Sequence, residues 1–278
     1  MKKQSATSEI SPNQSAALLK ALHILTIDGK LNQDSRRKLK QVNHLVNFIA
    51  PLIADLQNPT IVDIGAGKSY LGFMLYDALL KQLSAGQVIG IDNRIELIEK
   101  SIVLAQDCGF SRMQFLALNA AESITSKEIP PQIDVVTALH ACNTATDDAI
   151  QFGLAKKAKY MVLVPCCQAE VAEVLSKHKA QSFGKTPLSE IWRHPIHTRE
   201  FGSQITNVLR CLQLEAAGYN VTVTELVGWE HSMKNELIIA KFTGQPRKNA
   251  QERMQVILQE LNLHDLQQRF LAKLIVDL

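Results

Sequence analysis

In the stretch "VDIGAGKSYLG", Asp63, Gly65 and Gly67 have the types and spacing to hold a nucleotide-like ligand. Alternate glycines let the main chain approach a ligand closely and adopt conformations that other residues avoid. Three known loops share this feature. The Gly67-Lys68-Ser69 core fits a phosphate-gripping loop, Gly65-Ala66-Gly67 a dinucleotide turn, and Asp63-x-Gly65-x-Gly67 an adenosylmethionine turn. Spacing separates them. A phosphate loop needs a glycine five positions before Gly67, where this chain has Val62. A dinucleotide turn needs its third glycine at position 70, where helix and strand pack closely, and Tyr70 is bulky. The adenosyl reading survives, and a second acid supports it. Asp92 closes the next apolar run, "VIGID", where a carboxylate can accept both ribose hydroxyl hydrogens.

Other candidates sit at the ends of later apolar runs. Asn119, after "RMQFLAL", is read as a contact to the adenine amine, against the alternative of a plain turn residue. The run "LHACNTATDDAI" begins at a strand end, where ligands sit in open parallel sheets. His140 in it is a candidate general base, since imidazole titrates near neutral pH, or else a hydrogen-bonded residue that shapes the loop. Asp147 is a second catalytic candidate, against the reading in which Asp147 and Asp148 cap the following helix. Cys166 and Cys167 with His140 and Cys142 have the chemistry of zinc ligands. No CxxC pair is present, adjacent cysteines seldom face one metal, and no metal is expected. Two basic clusters remain, Arg36, Arg37, Lys38 and Lys40 in "RRKLK", and Arg193 and Arg199 beside Trp192 in "WRHPIHTR". Such a composition can grip phosphates and stack bases, or it is a solvated helix face and an ordered lid.

To bring these residues together the chain must alternate strands and helices. From Asp34 to Leu56, Leu39, Val42, Leu45, Val46, Ile49 and Leu52 recur at helical spacing, with Pro51 a kink or break. "TIVDIG", "GQVIGID", "RMQFLALNA", "QIDVVTALHA" and "AKYMVLVPCC" read as successive strands, most of them separated by amphipathic stretches such as "IELIEKSIVLAQDCG", which ends at a glycine C-cap. After Gln168, "SFGKTPLSEIWRHPIHTREFGS" reads as an insertion near the site. "SQITNVLRCLQLEAAGY" returns to helix, "NVTVTELV" and "NELIIAKF" to strands, and the stretch from Pro246 onward reads as amphipathic helix. The expected fold is α/β, a Rossmann-like doubly wound seven-stranded sheet, mostly parallel, with helical N- and C-terminal extensions. The expected divisions are 1–57 for the N-terminal extension, 58–243 for the central domain and 244–278 for the C-terminal tail.

Composition narrows the setting. With 278 residues, 46% hydrophobic and 21% charged, the chain can bury a substantial core. The longest apolar runs are strand-sized, far short of the roughly 20 residues that span a bilayer, so no membrane partner is expected. The opening "MKKQSATSEISPNQSAALLK" is polar where a secretory signal needs an apolar core, and five irregularly spaced cysteines do not make a disulfide framework. A cytoplasmic protein is expected. A net charge of +3 gives no global case for nucleic-acid binding, so any basic footprint must be local.

"VDIGAGKSYLG" together with "IGID" resembles motifs I and II of class I S-adenosylmethionine-dependent methyltransferases, over roughly Thr60 to Phe242. "LHACNTATDDAI" and "VPCCQ" resemble a narrower group, the methyltransferase domain of the glutathione-S-transferase C-terminal-domain-containing proteins and their bacterial relatives. "HSMKNELIIA" resembles that group's last strands and "RRKLKQVNHLV" its lead-in helix. A tRNA ribose 2′-O-methyltransferase family is a more distant likeness. The resemblance implies S-adenosylmethionine as cofactor and favours RNA as acceptor. A protein side chain, or a non-catalytic module that retains the cofactor, stands as the alternative. Ser69 departs from the motif, where many members of the class have glycine.

Overall fold

The structure, a computed structural model, describes residues 10, 14–139, 144–165, 169–177, 190–191, 193–226 and 235–271. Its centre is one sheet of β1 (Thr60–Ile64), β2 (Gln87–Asp92), β3 (Met113–Ala117), β4 (Val135–Leu139), β5 (Tyr160–Val164), β6 (Tyr219–Glu225) and β7 (Glu236–Phe242). The spatial order is β3-β2-β1-β4-β5-β7-β6. The five strands from β3 to β5 run parallel, and β7 is antiparallel to both β5 and β6. This is the expected Rossmann-like, mostly parallel arrangement. β1 and β5 are buried along their whole length because helices cover both faces, which is why they read as unbroken apolar runs rather than alternating ones.

Four helices follow the parallel strands: α3 (Tyr70–Leu75), α4 (Ile95–Asp107), α5 (Ala120–Thr125) and α6 (Ala145–Ala155). Two precede the sheet, α1 (Ala16–Ala21) and α2 (Gln33–Ile53), and between β5 and β6 lie α7 (Glu170–Lys177) and α8 (Pro195–Ala216). After the sheet come α9 (Ala250–Glu260), a 3-10 turn at His264–Leu266 and α10 (Gln267–Leu271). Neighbouring strand residues point to opposite faces, and each face has its own core. Ile61, Val88 and Val135 pack with Phe73, Met74 and Leu75 and with Leu39, Leu45 and Ile49 of α2. Val62, Ile89, Val136 and Met161 pack on the other side against Ile150, Phe152 and Leu214. The lead-in is therefore part of the sheet's own core. It is also held by a polar contact, since the Ser15 main-chain N–H donates to buried Asp77 at 2.7 Å.

Three local expectations are corrected. Pro51 does not break α2, which continues two residues past it to Ile53. The helix read from Ser203 starts earlier, at Pro195, with proline in the first turn, where its missing N–H and fixed φ suit a helix start. The tail is segmented rather than continuous: Asn262 adopts φ 52°, a left-handed conformation that ends α9. No helix among the described residues is long and apolar enough to cross a membrane.

Candidate functional site

The strand order reverses at β1 and β4, since β1 leads to β2 and β3 on one side while β4 and β5 extend the other. Ligands in open α/β sheets bind at such a point, outside the carboxyl ends of the strands. The structure has a cavity of about 150 Å³ there, lined by Ile64, Gly65, Asp92, Asn119, Ala145 and Asp148 among others. Of the residues expected to hold a cofactor, Gly65, Asp92 and Asn119 meet in this one space, with Asp63 and Gly67 beside them in the chain.

Asp63 lies within β1, paired with Gly90 of β2 and Thr137 of β4. The Thr137 hydroxyl donates to Asp63 Oδ1 at 2.7 Å, and both residues are buried. Burial pushes the Asp63 carboxyl up to about 7, opposed by the Thr137 hydrogen bond and reinforced by the charge of Asp92. The chain then turns through Gly65 at φ 67°, Gly67 at φ 58° and Ser69 at φ 52°. Two of these left-handed positions carry the residue that takes them without strain. The third carries serine, whose hydroxyl is buried without a hydrogen-bond partner.

Asp92 ends β2 with its side chain nearly buried. Gly67 N–H donates to Oδ2 at 2.8 Å, which fixes the acid against the glycine turn. The Arg94 main-chain N–H donates to Oδ1 at 3.0 Å, and its guanidinium forks onto both oxygens, Nε to Oδ1 at 2.8 Å and Nη2 to Oδ2 at 2.9 Å. Partial burial raises the Asp92 carboxyl, but the hydrogen bonds from Arg94 and Gly67 outweigh it and hold the group below the ordinary carboxylate range. The acid expected to meet a ribose is therefore ionised and in place.

Asn119 caps α5. Its side-chain oxygen accepts from Glu122 N–H at 2.9 Å, while Glu122 Oε2 accepts from Asn119 N–H at 2.9 Å. The turn role and the cavity position coexist: the oxygen is engaged, which leaves the amide NH2 as the donor this residue offers the cavity.

Asp147 is not among the residues that line the cavity and lies in a buried ion pair, Arg210 Nε donating to Oδ1 at 2.8 Å and Nη2 to Oδ2 at 2.7 Å. Arg210 is fully buried and bonds Asn207 as well, and Asn207 reaches Glu236 at the start of β7. Both Asp147 oxygens accept from this arginine, and the pair anchors α8 to α6. The adjacent acid, Asp148, lines the cavity.

His140, Cys142, Cys166, Cys167 and Trp192 lie outside the described residues, so the candidate roles of His140 and of the adjacent cysteines rest on the sequence alone. Leu139 and Thr144, their described neighbours, end β4 and precede α6 beside the cavity. Among the described residues no group of three or more His, Cys, Asp or Glu could hold a metal. Of the basic residues, Arg36, Arg37, Lys38 and Lys40 are exposed on α2, while Arg193 pairs with Glu190 at 2.9 Å and Arg199 with Glu200 at 3.0 Å.

Three contributors had not been anticipated. Thr137 is an unremarkable strand residue until β4 is laid beside β1. Asp148 was grouped with Asp147 as a cap, and the 3.6-residue period that puts neighbouring residues on different helix faces could have separated them. Arg94 follows Asp92 by two positions with no pattern around it, and nothing in the sequence signals its fork.

The arrangement fits S-adenosylmethionine. Two left-handed glycines let the main chain pass close to a ligand, and an ionised acid and an amide line the same cavity.

Residues 37–174 match the family model Methyltransf_32, a methyltransferase domain. A glutathione S-transferase C-terminal domain-containing protein homolog from Drosophila pseudoobscura pseudoobscura is 25% identical over 230 residues, covering 75% of this chain and 37% of that protein. The Bos taurus protein of that name is 29% identical over 162 residues, covering 57% of this chain and 24% of its own length. The chain thus spans little more than a third of the first of these relatives. Among solved structures, a candidate O-methyltransferase from Klebsiella pneumoniae superposes with TM-score 0.50 at 13% identity, covering 84% of this chain and 93% of the other, a likeness of fold. The glycine turn, the acid at the end of β2, the strand order and these matches agree in supporting an S-adenosylmethionine-dependent methyltransferase, and the chain is similar to class I of those enzymes.

Proposed function

We propose that this chain is an active methyltransferase that transfers the methyl group of S-adenosylmethionine to RNA. When bound, the cofactor supplies a methyl group on a sulfonium, ready for in-line displacement by an aligned nucleophile. The chain's residues bind and orient. Gly65 and Gly67 let the turn approach the ligand, Asp92 accepts from the ribose hydroxyls, and Asn119 donates at the adenine end. His140 follows β4 directly, and in this reading it takes the proton released by the acceptor or contacts the acceptor itself.

Two sets of basic residues support the RNA reading, one exposed at the start of α2 and one lining a cavity next to the glycine turn. Arg36, Arg37, Lys38 and Lys40 are exposed on the first turns of α2. The Ser35 hydroxyl in the same turn reaches the His23 carbonyl at 3.5 Å, and His23 lines a cavity of about 390 Å³ with Lys68, Tyr70 and Lys100. Lys68 adjoins Gly67. Several exposed cations suit a phosphate backbone better than a small molecule. A protein side chain as acceptor has its own support, because Arg193 and Arg199 are matched by Glu190 and Glu200 and so are less available to phosphates. A cytoplasmic location agrees with the free thiols Cys108 and Cys211.

Tritiated methyl transfer to RNA and protein fractions from cells lacking this protein tests the proposal. Label in RNA is expected. Label only in protein moves the acceptor to a side chain, and cofactor binding without label in either fraction supports a non-catalytic module. Where RNA is labelled, replacing Arg37, Lys38 and Lys40 with Ala should lower the slope of log affinity against log salt by up to about 2, at about 0.7 per phosphate on a single strand. An unchanged slope rejects phosphate contact by the α2 cations.

A further inference from the structure

We infer that the Arg94 guanidinium stands in for the ribose hydroxyls on Asp92 and sets how tightly the cofactor is held; this rests on the reading of Asp92 as the ribose clamp. A carboxylate offers about four lone-pair positions. On Asp92 four donors fill them: Gly67 N–H and Arg94 Nη2 on Oδ2, and Arg94 N–H and Arg94 Nε on Oδ1. Two of these donors are main-chain groups fixed by the glycine turn and by the entry to α4. The other two belong to one side chain. A ribose diol, with two hydroxyl hydrogens to donate, matches that fork in number and finds room only where the guanidinium withdraws.

The two partners differ in freedom. The Arg94 side chain is 55% exposed and the Asp92 side chain 4%, so the acid stays while the arginine has open water to swing into. Glu96, exposed in the first turn of α4, lies within electrostatic reach of the guanidinium and gives it somewhere to settle. Nη2 also lies 3.5 Å from the point a Cβ on Gly67 would occupy, so the guanidinium rests across the turn that a ligand must approach. Arg94 is therefore a positioning residue. It keeps the buried acid ionised and oriented before the ligand arrives, and it competes with the ligand for the same oxygens.

Competition of this kind lowers affinity, and it weakens when salt screens the ion pair, because the arginine is half in water. The test is calorimetric titration of the full chain with S-adenosylhomocysteine, and with 5′-methylthioadenosine as a neutral probe carrying the same ribose, at about 50 and 500 mM salt. Arg94→Gln should tighten S-adenosylhomocysteine about fivefold, with Arg94→Lys, a single donor in place of a fork, in between. Raising salt should tighten 5′-methylthioadenosine about twofold for the wild type and leave Arg94→Gln unchanged. A purely structural arginine would not give that salt signature. Equal or weaker binding by Arg94→Gln, with Asp92→Asn still losing affinity, overturns the stand-in role and leaves the clamp reading intact. Absence of binding by both the wild type and Arg94→Gln removes the clamp reading and the inference with it.

Discussion

Ser69 is the point of greatest strain in the glycine turn. It holds φ 52°, its hydroxyl is buried without a partner, and its Oγ lies 2.5 Å from where a Cβ on Gly72 would stand, so the next glycine is needed to make room. Ser69→Gly should stabilise the fold by about 1 kcal/mol, since the relief of a left-handed side chain and an orphaned hydroxyl exceeds the extra chain entropy of glycine. Thermal melts check this, and a lowered melting temperature would show that the serine makes a contact worth more than its strain. Asp63 offers a second measurement. Its folded-state carboxyl is pushed to about 7, chiefly by burial, so the folded protein binds this proton more tightly than the unfolded chain does. The sign follows: stability falls as pH rises from about 4 to about 7, by up to about 1.4 kcal/mol per pH unit from this group. Urea midpoints for wild type minus Asp63→Asn should isolate that slope, and parallel curves would contradict it. Both residues were legible from the spacing of the motif, as was Asp92. The fork of Arg94 was not, because a long side chain beside an acid carries no period and its orientation is decided by the folded turn.

Among the elements, α8 depends on the ion pair between Arg210 and Asp147. These residues are 63 positions apart and fully or nearly buried, and the pair ties a helix of the segment between β5 and β6 to one at the sheet. Asp147→Ala should cost about 3–5 kcal/mol by leaving a buried guanidinium unpaired, and adding Arg210→Met should recover much of it. Denaturant unfolding of the single and double variants measures both steps, and additive losses would mean that the two groups act independently. The sequence does not foretell this pair: a local reading sees an acid in the first turn of a helix, while its partner comes from a distant element. The strands were legible because β1, β4 and β5 are short apolar runs bounded by turn residues, and α4 because Gly109 at φ 67° ends it as the sequence indicates. The π-helical turn at Tyr76–Leu80 was not, since its apolar residues continue the pattern of α3 and only the packing of the described helix reveals the wider turn. The early start of α8 was hidden in a polar stretch whose first turn buries little besides Thr198.

At the scale of the molecule, the reversal of strand order between β1 and β4 turns a set of separate motifs into one site. Asp63, Gly65, Gly67, Asp92 and Asn119 are spread over 57 positions of sequence and meet because three parallel strands end on the same side of one sheet. The alternation of strands and helices foretold that sheet, while the placement of β7 between β5 and β6 follows from antiparallel pairing that periodicity does not encode. The crevice is suited to an adenosyl ligand held through its ribose. Calorimetric titration of the chain and of Asp92→Ala with S-adenosylmethionine, beside NADH and ATP, tests it most directly. One S-adenosylmethionine should bind per chain, weakened about 10²-fold in Asp92→Ala by the loss of hydrogen bonds to a charged acceptor, with no binding of NADH or ATP. Binding of NADH with none of S-adenosylmethionine, or equal affinity for wild type and Asp92→Ala, would contradict it.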